Sequence, residues 1–268
     1  MNPTTELYAS LEDAYNFFNH KLFAGDLPTV IFTVQRQKGV MGYFAPDRWG
    51  NLLGNRCHEI AINPSYIANS CLIEVLQTLV HEMVHCWQHC CGKPSRGHYH
   101  NKEWSKKMIG IGLMPSSTGL PGGTITGQFM SDYIIDGGLF ALNYEELKDS
   151  SGFQLKWIDR IAATKVFDPA FYSAPSLQAE TKLSEVTNVL EDTKTNNIRP
   201  EPSFAPLQIP NEQTFAQLAP KELFIPAPAR SKNSKKKYRC SECGNNVWGK
   251  PNLKLICGDC NLTFTESK

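Results

Sequence analysis

An α+β domain followed by a small cysteine-built module is the fold class that the 268-residue sequence predicts. Three observations predict it. Two segments with helical spacing flank short apolar stretches broken by Gly, Asn and Asp. A proline-rich stretch follows, and the C-terminal end then carries two Cys-x-x-Cys pairs. The length suits one domain with an appendage. A hydrophobic fraction of 41% and a charged fraction of 20% exclude collagen, coiled coil, a membrane bundle and wholesale disorder. A net charge of +1 points to no partner, but Arg230 to Lys268 holds nine Lys/Arg against three Asp/Glu. That segment is therefore +6, which leaves −5 for residues 1–229.

The first helix begins near Pro3 and Thr4, and Leu7, Leu11, Tyr15, Phe18 and Leu22 recur along it at helical spacing. Gly25, Asp26 and Pro28 end it. Strand-like stretches follow at Val30–Gln35, Val40–Phe44 and Glu59–Ile62, and Asn63-Pro64-Ser65 closes them. A second helix is predicted over Ile73–Cys90. At about 100° per residue, Leu76, Leu79, Val80, Met83 and Trp87 share one core-facing stripe, while His81, Glu82 and His85 lie on another face. Gly92, Pro94 and Gly97 stop it, and a third helix is expected over Asn101–Ile109. Further on, Asp132–Ile135 and Gly138–Leu142 read as strands covering the core. Nine of the seventeen prolines lie from Pro169 to Pro228, so residues 165–235 read as a flexible linker. The expected division is 1–164, linker 165–235, and a cysteine module at 236–268.

The central pattern is His81-Glu82-x-x-His85. Two His at i and i+4 project from one helix face about a turn apart, close enough to share one zinc ion. Zinc acidifies a bound water and polarises a carbonyl, and Glu82 stands beside the first ligand to take the water's proton. A third ligand must come from after the helix. Eight residues of helix carry His89 about 12 Å from His81, too far to share an ion, which leaves His98, His100 and Glu103. Tyr43 and Tyr99 are candidates by residue type for stabilising an oxyanion. Cys57, Cys71, Cys86, Cys90 and Cys91 read as small core or surface residues.

The run from Thr78 to His85, then Gly97-His-Tyr-His-Asn-Lys-Glu-Trp104 and Met108, resembles the SprT-like/Spartan metalloprotease family. So do Phe18-Asn19, Leu22-Phe23, Leu27-Pro28 and Ile60-Ala-Ile-Asn-Pro64. The resemblance spans residues 8–110 or so, with Asn101 standing where the family usually has Gly. It implies a zincin-like metallopeptidase fold with a small sheet packed on the His-Glu-x-x-His helix. It also implies a zinc endopeptidase with His100 as third ligand beside His81 and His85, and Glu82 as general base.

Cys240-x-x-Cys243 and Cys257-x-x-Cys260 predict a zinc ribbon, because each pair forms a knuckle whose thiolates grip a tetrahedral ion. Gly244 and Gly258 are expected to relieve the tight turns. Two zinc ions are thus expected, one catalytic and one structural. Lys235, Lys236, Lys237 and Arg239, with an exposed aromatic such as Tyr238 or Trp248, suit phosphates and bases. The expected partners are a protein substrate and DNA, single-stranded or junction-containing, and no membrane. The family's better-known members cleave proteins attached to DNA, which implies DNA–protein crosslink repair. No secretory signal or membrane-spanning run is visible, so the expected location is cytoplasmic, nucleoid-associated if bacterial.

Overall fold

The structure, a computed structural model, describes residues 2–151, 153–164, 204–209, 212–224 and 235–267. Helix α1 (Pro3–Phe23) starts at Asn2, whose side chain accepts the Thr4 N–H at 2.9 Å, and Pro3 is already set for the first turn. Leu11, Tyr15, Phe18 and Leu22 are its buried stripe. Its last turn is fastened by Lys107, which donates to the Leu22 carbonyl at 3.1 Å and lies over the Phe23 and Trp87 rings.

Strands β1 (Val30–Val34), β2 (Gly42–Gly50) and β3 (Arg56–Ile62) form one sheet in the order β1-β3-β2. β1 runs parallel to β3, and β2 pairs antiparallel with a register shift between Ala45 and Trp49. Glu59, 1% exposed, stitches all three together. Its carboxylate accepts from Thr33 Oγ1, Gln35 Nε2, the Tyr43 hydroxyl and Trp49 Nε1 at 2.7–2.8 Å. A carboxylate so supplied with donors can be buried without a cation.

After the short helix α2 (Pro64–Ile67), α3 (Leu72–Cys91) begins where Glu74 accepts the Cys71 N–H at 2.9 Å. Leu76, Leu79, Val80 and Met83, each at most 2% exposed, press the helix into a core shared with α1, the sheet and α4 (Lys102–Gly110). Strands β4 (Leu113–Ser116) and β5 (Ser131–Ile134) form a second, two-stranded sheet.

Two expectations are corrected here. Gly138–Leu142 is not a strand: Leu139–Ser151 is helix α5. Phe140, Tyr144 and Leu147 recur at helical spacing and are buried, a period that the short run Leu139–Leu142 hides. The region read as linker is not linker throughout. Residues 165–203 lie outside the described residues, but 204–209 and 212–224 lie on the first unit as a strap. Ile135 pairs with Pro206, Leu207 N–H donates to Ile134 O at 2.8 Å, and Asp136 N–H donates to Ala205 O at 2.9 Å. Thr214 caps a short helix, Phe215–Leu218, and the Phe215 and Ala216 N–H groups bond the Ser70 and Ala68 carbonyls. Leu207 and Phe215 pack on the main core. Few but well-spaced apolar residues anchor this stretch, which composition averages away.

The chain divides into two compact units, Met1–Phe224 and Ile225–Lys268. In the second, β6 (Lys236–Arg239) lies between β7 (Asn246–Gly249) and β8 (Thr265–Ser267), antiparallel to both. Among the described residues no helix is long and apolar enough to cross a membrane.

If the strap is part of the first unit, Phe215→Ala in the full chain should destabilise that unit by about 1–2 kcal/mol, as expected for a half-buried Phe. Chemical denaturation measures this; an unchanged midpoint would return the segment to a linker.

Candidate metal centre

Helix α3 turns its apolar ridge inward, which leaves His81 and His85 facing His100 on the loop that leads into α4, while Glu82 lies against Gly42 and Phe44 of β2. The loop is fixed by Asn101. Its Oδ1 accepts the Trp104 N–H and Gln88 Nε2, and its Nδ2 donates to Lys93 O and Ser95 Oγ, at 2.8–3.1 Å. Glu103 accepts the Lys93 N–H at 2.7 Å and Gln88 Nε2 at 3.0 Å, so its carboxylate closes the loop. His98 is exposed in the turn Arg96–His98. His100 is buried and pairs its backbone with Gly127.

Of the three candidates, His100 is the one brought to the helix pair. One ring nitrogen from each of His81, His85 and His100 lies within 4.8 Å of the others. Ring centroids are separated by 5.1 Å for His81–His85, 5.8 Å for His81–His100 and 4.8 Å for His85–His100. Trp104, fully buried, packs against all three, stacking on His85 at 25°. His100 Nδ1 faces the Gly127 carbonyl at 3.1 Å and His81 Nδ1 faces Asp132 Oδ2 at 2.8 Å. Both acceptors lack protons, so the Nδ1 atoms carry them and the Nε2 lone pairs are free.

Electrostatics keep two of the rings neutral. Burial, then the neighbouring His81, pushes His100 down to about 4, and burial with His81 and His100 lowers His85 well below its usual value. At His81 burial pulls down, but the Asp132 hydrogen bond and charge outweigh it and the net shift is upward. Glu82 is 7% exposed, and burial raises its pKa to about 7 against the opposing pull of His81 and the Phe44 N–H. Gly42 makes this packing possible: a Cβ there would stand 3.0 Å from Ala61 O and Thr78 Cγ2, and 3.4 Å from Glu82 Cγ. Three imidazoles with converging free nitrogens fit a zinc ion that keeps a further position open. Tyr43 is not aimed at this centre, since its hydroxyl donates to Glu59. Tyr99 is 44% exposed on the loop.

The second unit brings Cys240, Cys243, Cys257 and Cys260 together, their sulfurs within 4.8 Å of one another. The knuckles are closed by Gly244 N–H to Cys240 O at 3.1 Å and Asn261 N–H to Cys257 O at 2.8 Å. The left-handed positions are Gly244 (φ 73°) and Asn261 (φ 52°), so Asn261 rather than Gly258 takes the strained site of the second knuckle. The Cys243 and Glu242 N–H groups donate to Cys240 and bring its thiol down to about 7, which favours the thiolate that zinc requires.

On the ribbon's strands Lys237 lies opposite Trp248, its Nζ 5.9 Å from the ring centroid, and Trp248 is 62% exposed. Lys235 and Arg239 are exposed. Lys236 is paired with Glu266 at 3.0 Å. Tyr238 is corrected from exposed to buried; its hydroxyl donates to Lys250 O and accepts the Leu253 N–H. Asp132 and Gly127 are the partners that the sequence did not disclose, because nothing local marks a residue that meets His81 from 51 positions away.

The His-Glu-x-x-His helix and a third histidine on the following loop thus form one group of three imidazoles that could hold a metal ion. Residues 11–123 match the SprT-like family. The family is metallopeptidase-like. A Salmonella typhimurium protein described as an uncharacterized protein in the mucB 3' region is 51% identical over 41 residues, 15% of this chain and 55% of that protein. The chain thus spans about half the length of the curated relative it matches. No solved structure matches the chain.

Metal analysis of the purified protein should find two zinc equivalents in wild type, one in His100→Ala and two in His98→Ala. Loss in the His98 variant instead would reassign the third ligand.

Proposed function

We propose that the protein is a zinc-dependent endopeptidase that cleaves proteins bound or crosslinked to DNA. The observation that carries the peptidase half is geometric: the buried carboxyl of Glu82 stands on the helix that presents His81 and His85, whose ring nitrogens come within 4.8 Å of that of His100, and burial pushes the Glu82 pKa up to about 7. A carboxyl poised near neutrality can both take a proton and return it.

In this reading His81, His85 and His100 hold the zinc, which when bound acidifies a water and polarises the scissile carbonyl. Glu82 accepts the proton released as water attacks and donates it to the departing amide nitrogen. Burial favours the protonated form of Glu82, and His81 and the Phe44 N–H favour the charged form. Trp104 backs the three imidazoles with a fully buried indole, which restrains their rotation and keeps water from behind them.

The DNA half rests on the second unit. Lys235, Lys237 and Arg239 offer phosphate contacts, and the exposed Trp248 offers a stacking face beside Lys237. Lys236 contributes less while it is shared with Glu266. A ribbon that recruits DNA, joined to a peptidase, would concentrate the enzyme on proteins already on DNA.

Glu82→Gln should keep fold and zinc while lowering proteolysis by at least about 100-fold; undiminished cleavage would remove Glu82 from the role. Trp248→Ala should weaken single-stranded DNA binding by about 1–3 kcal/mol in a salt-dependent titration. Cys240→Ser with Cys243→Ser should cost one zinc and weaken DNA binding further, leaving the histidine-bound metal. DNA affinity untouched by both changes would favour a peptidase acting on free proteins, with the ribbon as a docking module.

A further inference from the structure

We propose that Asp132 is the positioning residue of the histidine centre, holding His81 by Nδ1 so that Nε2 alone faces the other two histidines. The proposal rests on the zinc reading above. Asp132 lies beyond the residues that match the SprT-like family, on β5, and its side chain is 7% exposed.

Both of its carboxylate oxygens are engaged by the same helix. Oδ2 stands 2.8 Å from His81 Nδ1, and Oδ1 accepts Gln77 Nε2 at 2.7 Å; the same Nε2 lies 2.9 Å from the Asp132 carbonyl. Gln77 and His81 are i and i+4 on α3, so they rise from one face and grip Asp132 between them. A carboxylate has no proton to give, so the hydrogen on His81 stays on Nδ1 and the metal-facing lone pair on Nε2. Rotating the ring would break a charge-assisted bond and leave a buried carboxylate short of a donor, which makes rotation costly. His100 has only a neutral carbonyl in the equivalent place, the Gly127 oxygen at 3.1 Å. His81 is therefore the firmly anchored ligand of the three. β5 is in turn fastened from its other edge by the strap, through the Leu207 N–H to Ile134 O bond at 2.8 Å.

The test uses the full chain as wild type, Asp132→Asn and Gln77→Leu. Asparagine keeps an oxygen for Gln77 but loses the charge and the acceptor-only character. Three quantities are read: zinc affinity of the histidine centre by chelator competition, the ring 15N shifts of His81 in zinc-free protein, and the thermal midpoint. We expect Asp132→Asn to weaken zinc about 10- to 100-fold and to lose the single Nδ1–H tautomer, with a midpoint near wild type. Gln77→Leu should shift zinc affinity in the same direction by less. Unchanged zinc affinity in Asp132→Asn would overturn the proposal alone. So would a loss of zinc that tracks a fall in midpoint while the tautomer is kept, since Asp132 would then only fasten β5. Wild-type protein that takes up zinc in the ribbon and nowhere else would instead overturn the zinc reading on which the proposal stands.

Discussion

The packing of α3 is the constraint on which the rest of the first unit depends. Its ridge of Leu76, Leu79, Val80 and Met83 is buried between α1, the three-stranded sheet and α4, and an interior this dense leaves a helix little freedom to rotate about its axis. Once the ridge is fixed, the angular positions of His81, Glu82 and His85 are fixed with it. Rotation by one residue would exchange a buried Leu for a His, at a cost far above a typical stability margin. The site geometry is thus set by apolar packing on the opposite face of the same helix.

That helix also sets how much could be read from the sequence. The His81-Glu82-x-x-His85 spacing and its opposite ridge are local, so periodicity alone exposed both, and the ends of α1, α3 and α4 follow from caps that occupy one or two residues. Residue chemistry narrows the third ligand to His98, His100 or Glu103, and the family resemblance implies His100; the choice among them depends on a loop closed by Asn101, Glu103 and Gln88. Asp132, Gly127 and Gln77 left no local trace, because their meaning lies in contacts between segments far apart in sequence. Helix α5 was misread for the opposite reason: a run of four apolar residues looks the same in a strand and in a buried helix, and only Tyr144 and Leu147 further on reveal the period.

Burial has opposite effects on the acid and on the bases of the centre, and the two effects serve the same chemistry. Removing water penalises charge, so the carboxyl of Glu82 rises toward neutrality while His85 and His100 fall to the uncharged form that can donate a lone pair. His81 is the exception, because Asp132 supplies the missing charge. One low-dielectric pocket therefore sets two of the imidazoles and the carboxyl, while Asp132 sets the third imidazole.

The two candidate metal centres differ in what they offer to folding. The first unit has a continuous core running from Leu11 to Leu155, and the helix that carries His81 and His85 is packed into it. In the second unit the buried side chains among the described residues are Tyr238, Cys240 and Cys257, far too few to offset the entropy of ordering thirty-odd residues. An ion gripped by four thiolates can supply that missing free energy, as in other small metal-built modules. Three histidines would leave a coordination position for a reactant, whereas four cysteines would close the shell. The donor count and the size of the surrounding core thus set the two centres apart: an open set of three imidazoles beside a large core, and a closed set of four thiolates with little core around it.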